Sequence, residues 1–518
     1  MYNSLLMKRD KSIVLLFSLA LFAFAARAEV RLPRILSSHA VLQRDRPIHV
    51  WGWSEAGENI SVSFKGATRT AQGDRLGRWS VYFPPQAAGG PFQLTVTGAN
   101  RIVLDDILIG DVWFASGQSN MEMPLNGFPG SAVVKDAAAE ISHADNPNLR
   151  LLFISHKAAQ FPLEDFDQRD EWTLCTPETA AKFSAVAYFF GRDIAAQEHV
   201  PIGLIDSSWG GTPGEAWVSL DSLAADASLM PIFATWAKMA NEETDVPATK
   251  IAEKREDNAA RAAHRPLPEH PWHPDAASWD PSWLFNGMVA PALEFAIRGV
   301  IWYQGETNSA LERAPLYERV FSTLIGDWRT HWRQGDFPFL YVQISSFDST
   351  PHEVWPMVRE AQRRTLSLAN TAMAVTIDVG DPGNVHPSDK QTVGARLALA
   401  ARAIAYREDV PYSGPLFQQA AGQDRSLRVW FTHAEDGLIA KNGPLQGFEI
   451  AGEDRRFVEA DARIDGKTVI VANPQVAKPM YVRYGWRNAP QINLYNSAGL
   501  PASPFTSESN IPVPIGNK

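Results

Sequence analysis

The chain has 518 residues, a single cysteine and a formal net charge of −10 at pH 7. An acidic chain is a poor candidate for binding nucleic acid. Because Cys175 is the only cysteine, a disulfide within the chain is excluded. This length exceeds what one hydrophobic core usually organises and predicts about three domains.

Residues 1–28 are predicted to be a signal peptide. Lys8, Arg9 and Lys11 precede an apolar run over 13–26, and Ala26-Arg27-Ala28 has the small-x-small form of a cleavage site. The run is too short to favour a membrane span. Its removal would take away four basic residues and one acidic residue, a net +3, and move the charge from −10 to −13. We therefore expect export to a bacterial periplasm or to the medium, with no membrane attachment after cleavage.

Residues 29–107 are predicted to form an N-terminal β domain. Apolar and polar residues alternate in three runs, 60–64, 79–83 and 92–96, with glycine or proline between them. A period of two is typical of half-buried antiparallel strands.

Residues 108–410 are predicted to form an α/β domain, because strand and helix patterns alternate there. The five strand candidates are VWFAS (112–116), IGLIDSS (202–208), GVIWYQ (299–304), FLYVQISS (339–346) and AMAVTID (372–378). Leu316, Val320, Leu324 and Trp328 share one face of a helix that ends near Trp332. The pattern predicts a five-stranded parallel sheet covered by helices on both faces.

The remaining segments interrupt or follow this pattern. Residues 411–518 return to period two in SLRVWF and KTVIV, and Asp465-Gly466 predicts a hairpin turn, so a C-terminal β segment is expected. An insertion over about 222–282 combines a charged helical stretch with a Pro/His-rich run at 264–275. We favour a substrate wall for this insertion over a solvated helix that covers nothing.

Polar side chains follow the predicted strands where ligands of open α/β sheets bind. Ser119 comes after the first strand, 207–212 (SSWGGT) after the second, 304–308 (QGETN) after the third and His386 after the fifth. A serine hydroxyl is a poor nucleophile at neutral pH and needs a base. Each motif alone has a structural explanation as a turn or capped loop, but four at one sheet edge favour an active site.

These motifs resemble a known family. GQSNM, WGGTPGEAW, VIWYQGETN and HPSDK, in this order, are similar to the sialate O-acetylesterase group of SGNH hydrolases. The resemblance implies a three-layer α/β/α hydrolase with β-rich additions that hydrolyses an acetyl ester on a sugar. It implies that Ser119 attacks the acetyl carbonyl and that His386 accepts its proton.

The same resemblance implies the other site residues. The oxyanion donors would be the N–H of Ser119, Gly211 and Asn308, while Gln304 and Glu306 would border the pocket. For a sugar platform we favour the tryptophans beside the second motif over those in strand and helix contexts, which are expected in the core. The favoured pair is Trp209 and Trp217, and the expected core residues are Trp302, Trp328 and Trp332.

One position departs from the family pattern. SGNH enzymes usually carry an aspartate three residues before the histidine, where this chain has Gly383. Asp381 on the same loop is our preferred substitute for orienting His386, and Glu306 and a backbone carbonyl are the alternatives. Glu306 could instead bind backbone N–H groups of its own turn.

Other polar residues are interpreted as having no role in the active site. His264, His270 and His273 match no helix face and are separated by prolines, so we expect no metal and no cofactor. Residues 359–362, with Arg359, Glu360 and Gln362, could reach a sugar acid group, but a solvated helix end is favoured.

The expected partner is an acetylated carbohydrate. The sequence leaves open whether this is a sialoglycan or a plant polysaccharide such as xyloglucan, xylan or pectin. A non-catalytic glycan-binding protein on a hydrolase fold is the alternative from another class. A GxSxG lipase or peptidase is disfavoured because Met121 stands where the second glycine belongs. The oligomeric state is not indicated.

Overall fold

The computed structural model describes residues 29–511, apart from 129, 131, 243–245, 264, 269 and 271–275. The predicted signal peptide lies outside the described residues. Within them, no helix has both the length and the apolar character needed to cross a bilayer.

Alternating apolar residues form the strands of the N-terminal region, as predicted. The bounds are β1 Val41–Gln43, β2 Ile48–Trp53, β3 Asn59–Phe64, β4 Ala67–Gln72, β5 Arg78–Phe83, β6 Gly89–Thr97 and β7 Arg101–Gly117. β3 pairs antiparallel with β4 and β6, β2 with β5, and β6 with β7. In β5 the side chains of Trp79, Val81 and Phe83 are buried while their neighbours are exposed.

Helices and strands alternate between residues 119 and 404. The bounds are α1 Ser119–Glu122, α2 Ala137–Ser142, β8 Asn146–Phe153, β9 Thr173–Cys175, α3 Pro177–Ala181, α4 Ala185–Glu198, β10 Ile202–Ser208, α5 Leu220–Ala224, α6 Pro231–Glu242, α7 Val246–Ala262, α8 Ala276–Trp279, β11 Gly299–Tyr303, α9 Tyr317–Trp332, β12 Phe339–Gln343, α10 Trp355–Thr365, β13 Thr371–Val375 and α11 Lys390–Ile404. The buried stripe predicted for 316–328 is present on α9, where Val320, Leu324 and Trp328 are buried.

The central sheet has the order β13-β12-β11-β7-β10-β8-β9. All five predicted strands are present and run parallel, but β8 is a sixth parallel strand and β9 an antiparallel edge strand. The predicted five-stranded sheet is therefore too small. The sequence of β8, NPNLRLLF, does not have a clear strand pattern because it contains asparagine, proline and arginine. Only residues 149–152 of β8 are buried.

The strand β7 joins the N-terminal strands to the central sheet. Its first half pairs with β6, and residues 111–117 pair with β10. It therefore crosses the predicted domain boundary at residue 107 without a break. One continuous hydrophobic cluster accordingly extends from Val30 to Ala401.

Helices cover both faces of the central sheet, because successive side chains of a strand point to opposite sides. Trp113 of β7 packs on Phe190 of α4, with ring centroids 5.0 Å apart. The next residue, Phe114, packs on Trp328 and Trp332 of α9. These contacts give the three layers expected of an α/β/α domain.

The C-terminal region is built from short strands around a second hydrophobic cluster that includes Val429, Val469 and Phe505. The bounds are β14 Leu416–Gln423, β15 Ser426–Thr432, β16 Leu438–Ala440, β17 Phe448–Ala451, β18 Val458–Glu459, β19 Asp461–Asp465, β20 Thr468–Ala472, β21 Tyr481–Tyr484, β22 Leu494–Asn496 and β23 Phe505–Thr506. β19 and β20 pair antiparallel across the predicted turn, where Gly466 has a φ of 62°.

Candidate active site

Ser119 lies beyond the carboxyl end of the central strand β7, one residue after Gln118, as the first residue of α1. Two residues earlier, Gly117 has a φ of 141°, and a Cβ there would lie 2.1 Å from the carbonyl oxygen of Tyr303. Only glycine allows this close approach. Later strands are added on opposite sides of β7, and such a switch point is where α/β sheets bind ligands.

Ser119 and His386 are in hydrogen-bonding contact, although 267 positions separate them in the chain. The distance between Ser119 Oγ and His386 Nε2 is 2.8 Å. The loop is fixed locally, since the backbone N–H of His386 donates to Asn384 Oδ1 at 2.9 Å. The ring of Phe128 meets the imidazole edge-on, with centroids 5.3 Å apart.

The surroundings of His386 lower its pKa and so favour the neutral imidazole. Burial lowers its pKa from 6.5 to about 4, with a further lowering from the charge of Lys390 and a smaller opposing effect of Glu122. A neutral imidazole can accept a proton from the serine hydroxyl. The pair therefore has the protonation state that a nucleophile and its base need near neutral pH.

The structure does not bring Asp381 to His386. Its side chain is exposed, and Oδ1 accepts the backbone N–H of Gly383 at 2.8 Å, so the carboxylate closes its own turn. Among the described residues, no carboxylate and no carbonyl accepts a hydrogen bond from His386 Nδ1. The geometry is that of a Ser/His pair without an acidic third member in contact.

Glu306 is placed behind the pair, where it contacts Asn120 instead of His386. The Nδ2 of Asn120 donates to Glu306 Oε1 at 2.6 Å and to the carbonyl of Val385 at 3.0 Å. The Nζ of Lys390 donates to Asn120 Oδ1. Burial raises the pKa of Glu306 to about 6 and lowers the pKa of Lys390 to about 7. Glu306 also lines the cavity beside Ser119.

Two of the three residues predicted to supply oxyanion donors, Ser119 and Gly211, line the same cavity. The N–H of Ser119 belongs to the first turn of α1, where amides lack acceptors within the helix. Gly211, with a φ of 72°, lines the same cavity. Its carbonyl accepts from Trp279 Nε1 at 2.7 Å, which fixes the orientation of this backbone.

The structure does not bring Asn308 or Gln304 to the cavity. Asn308 is buried, with Nδ2 donating to Glu215 Oε2 at 2.8 Å and Oδ1 accepting from Gly214 and from Gln304 Nε2. Gln304 is also buried, and its Oε1 accepts from Tyr317 Oη at 2.8 Å. Both side chains brace the loop after β11.

Gln118 is a cavity residue that the sequence interpretation missed. Its Oε1 accepts the backbone N–H groups of Gly305 at 3.4 Å and Thr307 at 3.2 Å. With the oxygen committed to these amides, the NH₂ group is the end available to the cavity that Gln118 and Ser119 line together. The sequence signal for Gln118 as a cavity residue was its position in the GQSN motif, immediately before the serine.

The cavity beside Ser119 has a volume of about 630 Å³. Its apolar and aromatic walls come from Phe128, Trp209, Trp279, Phe347, Trp355 and Val385, and its polar walls include Glu122, His156, Arg313 and Glu353. Trp209 stacks on His156 at 4.4 Å with the rings 3° from parallel, and His156 Nε2 lies 3.1 Å from Glu122 Oε1. The indole is therefore held in a fixed orientation.

Trp279, near the end of the insertion, reaches this cavity. It ends α8, and the guanidinium of Arg313 lies 4.4 Å above its ring. The charged helix predicted within the insertion is present as α7.

Several other sequence interpretations change. Trp217 is fully buried, with Nε1 donating to Thr212 Oγ1 at 3.0 Å, so it is no sugar platform. Residues 359, 360 and 362 are also fully buried, neither solvated nor in the cavity. His270 is 3.1 Å from Asp257, and no metal-binding cluster occurs in the described part of the chain, which omits His264 and His273. The predicted core residues Trp302, Trp328 and Trp332 are buried as expected.

Known proteins are similar to this chain over most of its length. Residues 270–403 match the family described as carbohydrate esterase, sialic acid-specific acetylesterase. The chain is 30% identical to the sialate O-acetylesterase of Rattus norvegicus, covering 96% of this chain and 98% of that protein. It is 29% identical to the Homo sapiens sialate O-acetylesterase, with 92% of both chains covered.

A solved structure of a carbohydrate acetylesterase is also similar to this chain. A carbohydrate acetylesterase from Xanthomonas citri superposes with a TM-score of 0.80 at 36% identity, covering 93% of this chain and 100% of that one. The chain belongs to the sialate O-acetylesterase family of carbohydrate O-acetylesterases.

Proposed function

We propose that this protein removes O-acetyl groups from carbohydrates by a Ser119/His386 mechanism. The observation that carries the proposal is the 2.8 Å contact between Ser119 Oγ and His386 Nε2 at the wall of an open cavity. A serine placed beside a neutral imidazole can be deprotonated as it attacks an ester.

The reaction proceeds in two steps. Ser119 Oγ bonds to the acetyl carbon while its proton moves to His386 Nε2, and the carbonyl oxygen becomes an oxyanion. Collapse breaks the bond to the sugar oxygen, which takes the proton from His386, and leaves an acetyl-enzyme. Water then attacks the acetyl carbon, again giving its proton to His386, and acetate leaves as Ser119 regains a proton.

Three donors are proposed to stabilise the oxyanion: the N–H groups of Ser119 and Gly211 and the amide of Gln118. All three residues line the cavity. Gln118 replaces Asn308 in this role, since the Asn308 amide is committed to Glu215. Donors that are fixed before the reaction cost no reorganisation when the charge develops.

The sugar is proposed to rest against Trp209 and Trp279. Family membership favours an O-acetylated sialic acid, for which Arg313 supplies a cation among the described residues of the cavity wall. A neutral plant polysaccharide is the second candidate, because Arg313 already lies 3.7 Å from Glu215 and 3.6 Å from Glu312, while Glu122 and Glu353 add negative charge to the walls. The carboxylate of a sialic acid would be repelled by such negatively charged walls.

The proposal is tested by measuring acetate release from an activated aryl acetate, from O-acetylated sialosides and from acetylated xylan, xyloglucan and pectin. Ser119→Ala should abolish release, with circular dichroism unchanged. Ser80→Ala, an exposed serine on β5, is the matched control and should retain activity. A protein that binds glycans without releasing acetate would be the non-catalytic alternative, and Ser119→Ala retaining activity within tenfold would refute the nucleophile.

Export through cleavage after Ala28 is also proposed, on the strength of the leader-like sequence over 1–28. Mass spectrometry of the secreted or periplasmic protein should find Glu29 at the N-terminus.

A further inference from the structure

Lys390 is a fully buried lysine at a position where a positive charge is unfavourable. It is the first residue of α11, so its ammonium meets both the desolvation cost and the positive end of the helix dipole. Its described contacts are Asn120 Oδ1 and the face of Tyr303, 5.7 Å from the ring centroid. Burial lowers the pKa of Lys390 to about 7, so the amine is charged in the acidic range where His386 takes up a proton.

Asn120 joins this cation to both halves of the candidate active site. Because Lys390 donates to Oδ1, the two Nδ2 protons are directed at Glu306 Oε1 and at the carbonyl of Val385. Asn120 follows Ser119 in sequence, and Val385 precedes His386. One buried amide therefore spans the nucleophile turn and the histidine loop.

We propose that Lys390, Asn120 and Glu306 form a positioning unit that takes the place of the missing triad carboxylate by holding the His386 loop against the Ser119 turn. This inference rests on the proposed function. None of the three is a catalytic residue, since each acts through the backbone that it fixes or through its charge.

The positioning unit and a triad carboxylate have opposite electrostatic effects on the protonated histidine. An aspartate beside histidine stabilises the imidazolium, whereas the Lys390 charge opposes it. The charged groups that act on His386 are Lys390 from α11 and Glu122 from α1, with opposite signs. Its contacts with Ser119, Phe128 and Asn384 are with uncharged groups. Burial lowers the pKa of His386 most and the Lys390 charge lowers it further, so the imidazole can still accept a proton at more acidic pH.

The test is the pH profile of kcat/KM for an aryl acetate. Lys390→Met removes the ammonium, so the acid limb should move up by about one pH unit. Lys390→Arg keeps the charge and should leave the limb in place. Lys182→Met, an exposed lysine that follows α3, is the matched control and should not move it. A merely structural lysine would lower activity at every pH without displacing the limb.

A double variant is the control for effects of Lys390→Met on folding. Lys390→Met alone leaves the buried Glu306 carboxylate without its cation, whereas Glu306→Gln with Lys390→Met removes both charges. The double variant should recover Tm relative to Lys390→Met and show the same upward displacement. Asn120→Ala should lower kcat about a hundredfold at nearly constant KM, because the span between the two loops is lost.

The outcomes separate the two proposals. Wild-type protein inactive on every acetyl ester would overturn the proposed function. Active wild-type protein with a Lys390→Met or double-variant profile superimposable on its own, or with Asn120→Ala fully active, would overturn the positioning unit alone.

Discussion

Trp279 Nε1 donates a 2.7 Å hydrogen bond to the carbonyl of Gly211, tying the end of the insertion to a proposed oxyanion donor. The peptide plane of Gly211 is thereby held from outside its own loop. A rigid donor contributes more to the transition state than a mobile one.

Trp279→Phe keeps an aromatic face and removes this hydrogen bond. We expect kcat on an aryl acetate to fall about fivefold, because one net hydrogen bond contributes on the order of 1 kcal/mol. Trp332→Phe is the matched control, since its indole donates at 3.0 Å to Phe295 in the core. A loss confined to KM would show that Trp279 acts only on the sugar.

Gln118→Glu tests the third oxyanion donor. The carboxylate can still accept from Gly305 and Thr307, but it replaces the NH₂ with an oxygen that opposes the developing charge. We expect kcat to fall by about a hundredfold or more with little change in KM. Asn308→Ala should instead lower Tm through its lost contacts. If Asn308→Ala lowered kcat more than Gln118→Glu did, the two roles would have to be exchanged.

Much of the fold was predictable because strand and helix periods are local properties of the sequence. The five strands of the predicted sheet are all present, and the polar residues at their ends include Ser119 and His386, which meet as expected. β8 was missed because its apolar residues neither alternate nor form a long run.

The details of the site were less predictable because they depend on side-chain direction after the chain turns. Asn308 lies on a 3₁₀ turn over Thr307–Ser309 that directs it inward, and Trp217 ends a similar turn over Gly214–Trp217. Lys390 was not singled out, since its partner Asn120 is 270 positions away. A motif gives the order of residues but not which of them face the cavity.

Asp381→Asn and Glu306→Gln distinguish a triad from the observed arrangement. Loss of the triad carboxylate costs about ten-thousandfold in kcat in a serine protease of the Ser-His-Asp type. Here both changes should keep kcat within about tenfold, because neither carboxylate contacts His386 and a glutamine can still accept from Asn120.

Thermal unfolding separates the two variants. Glu306→Gln should lower Tm by several degrees, since Lys390 would lose the nearby buried carboxylate. Asp381→Asn should leave Tm nearly unchanged because Asp381 is exposed. A severe kcat loss in either variant would restore that carboxylate as the orienting group.

The acid limit of activity should follow His386. Its pKa is lowered to about 4, so the imidazole stays neutral as pH falls from about 8 to about 5, and kcat/KM should be flat there. Below about 4 the ring takes a proton and can no longer accept one from Ser119, so kcat/KM should fall about tenfold per pH unit. Glu122 raises the pKa of His386, so Glu122→Gln should move this limb to lower pH, opposite to Lys390→Met. Displacement of both variants in the same direction would show that the limb reports unfolding or another group, which circular dichroism at each pH would identify.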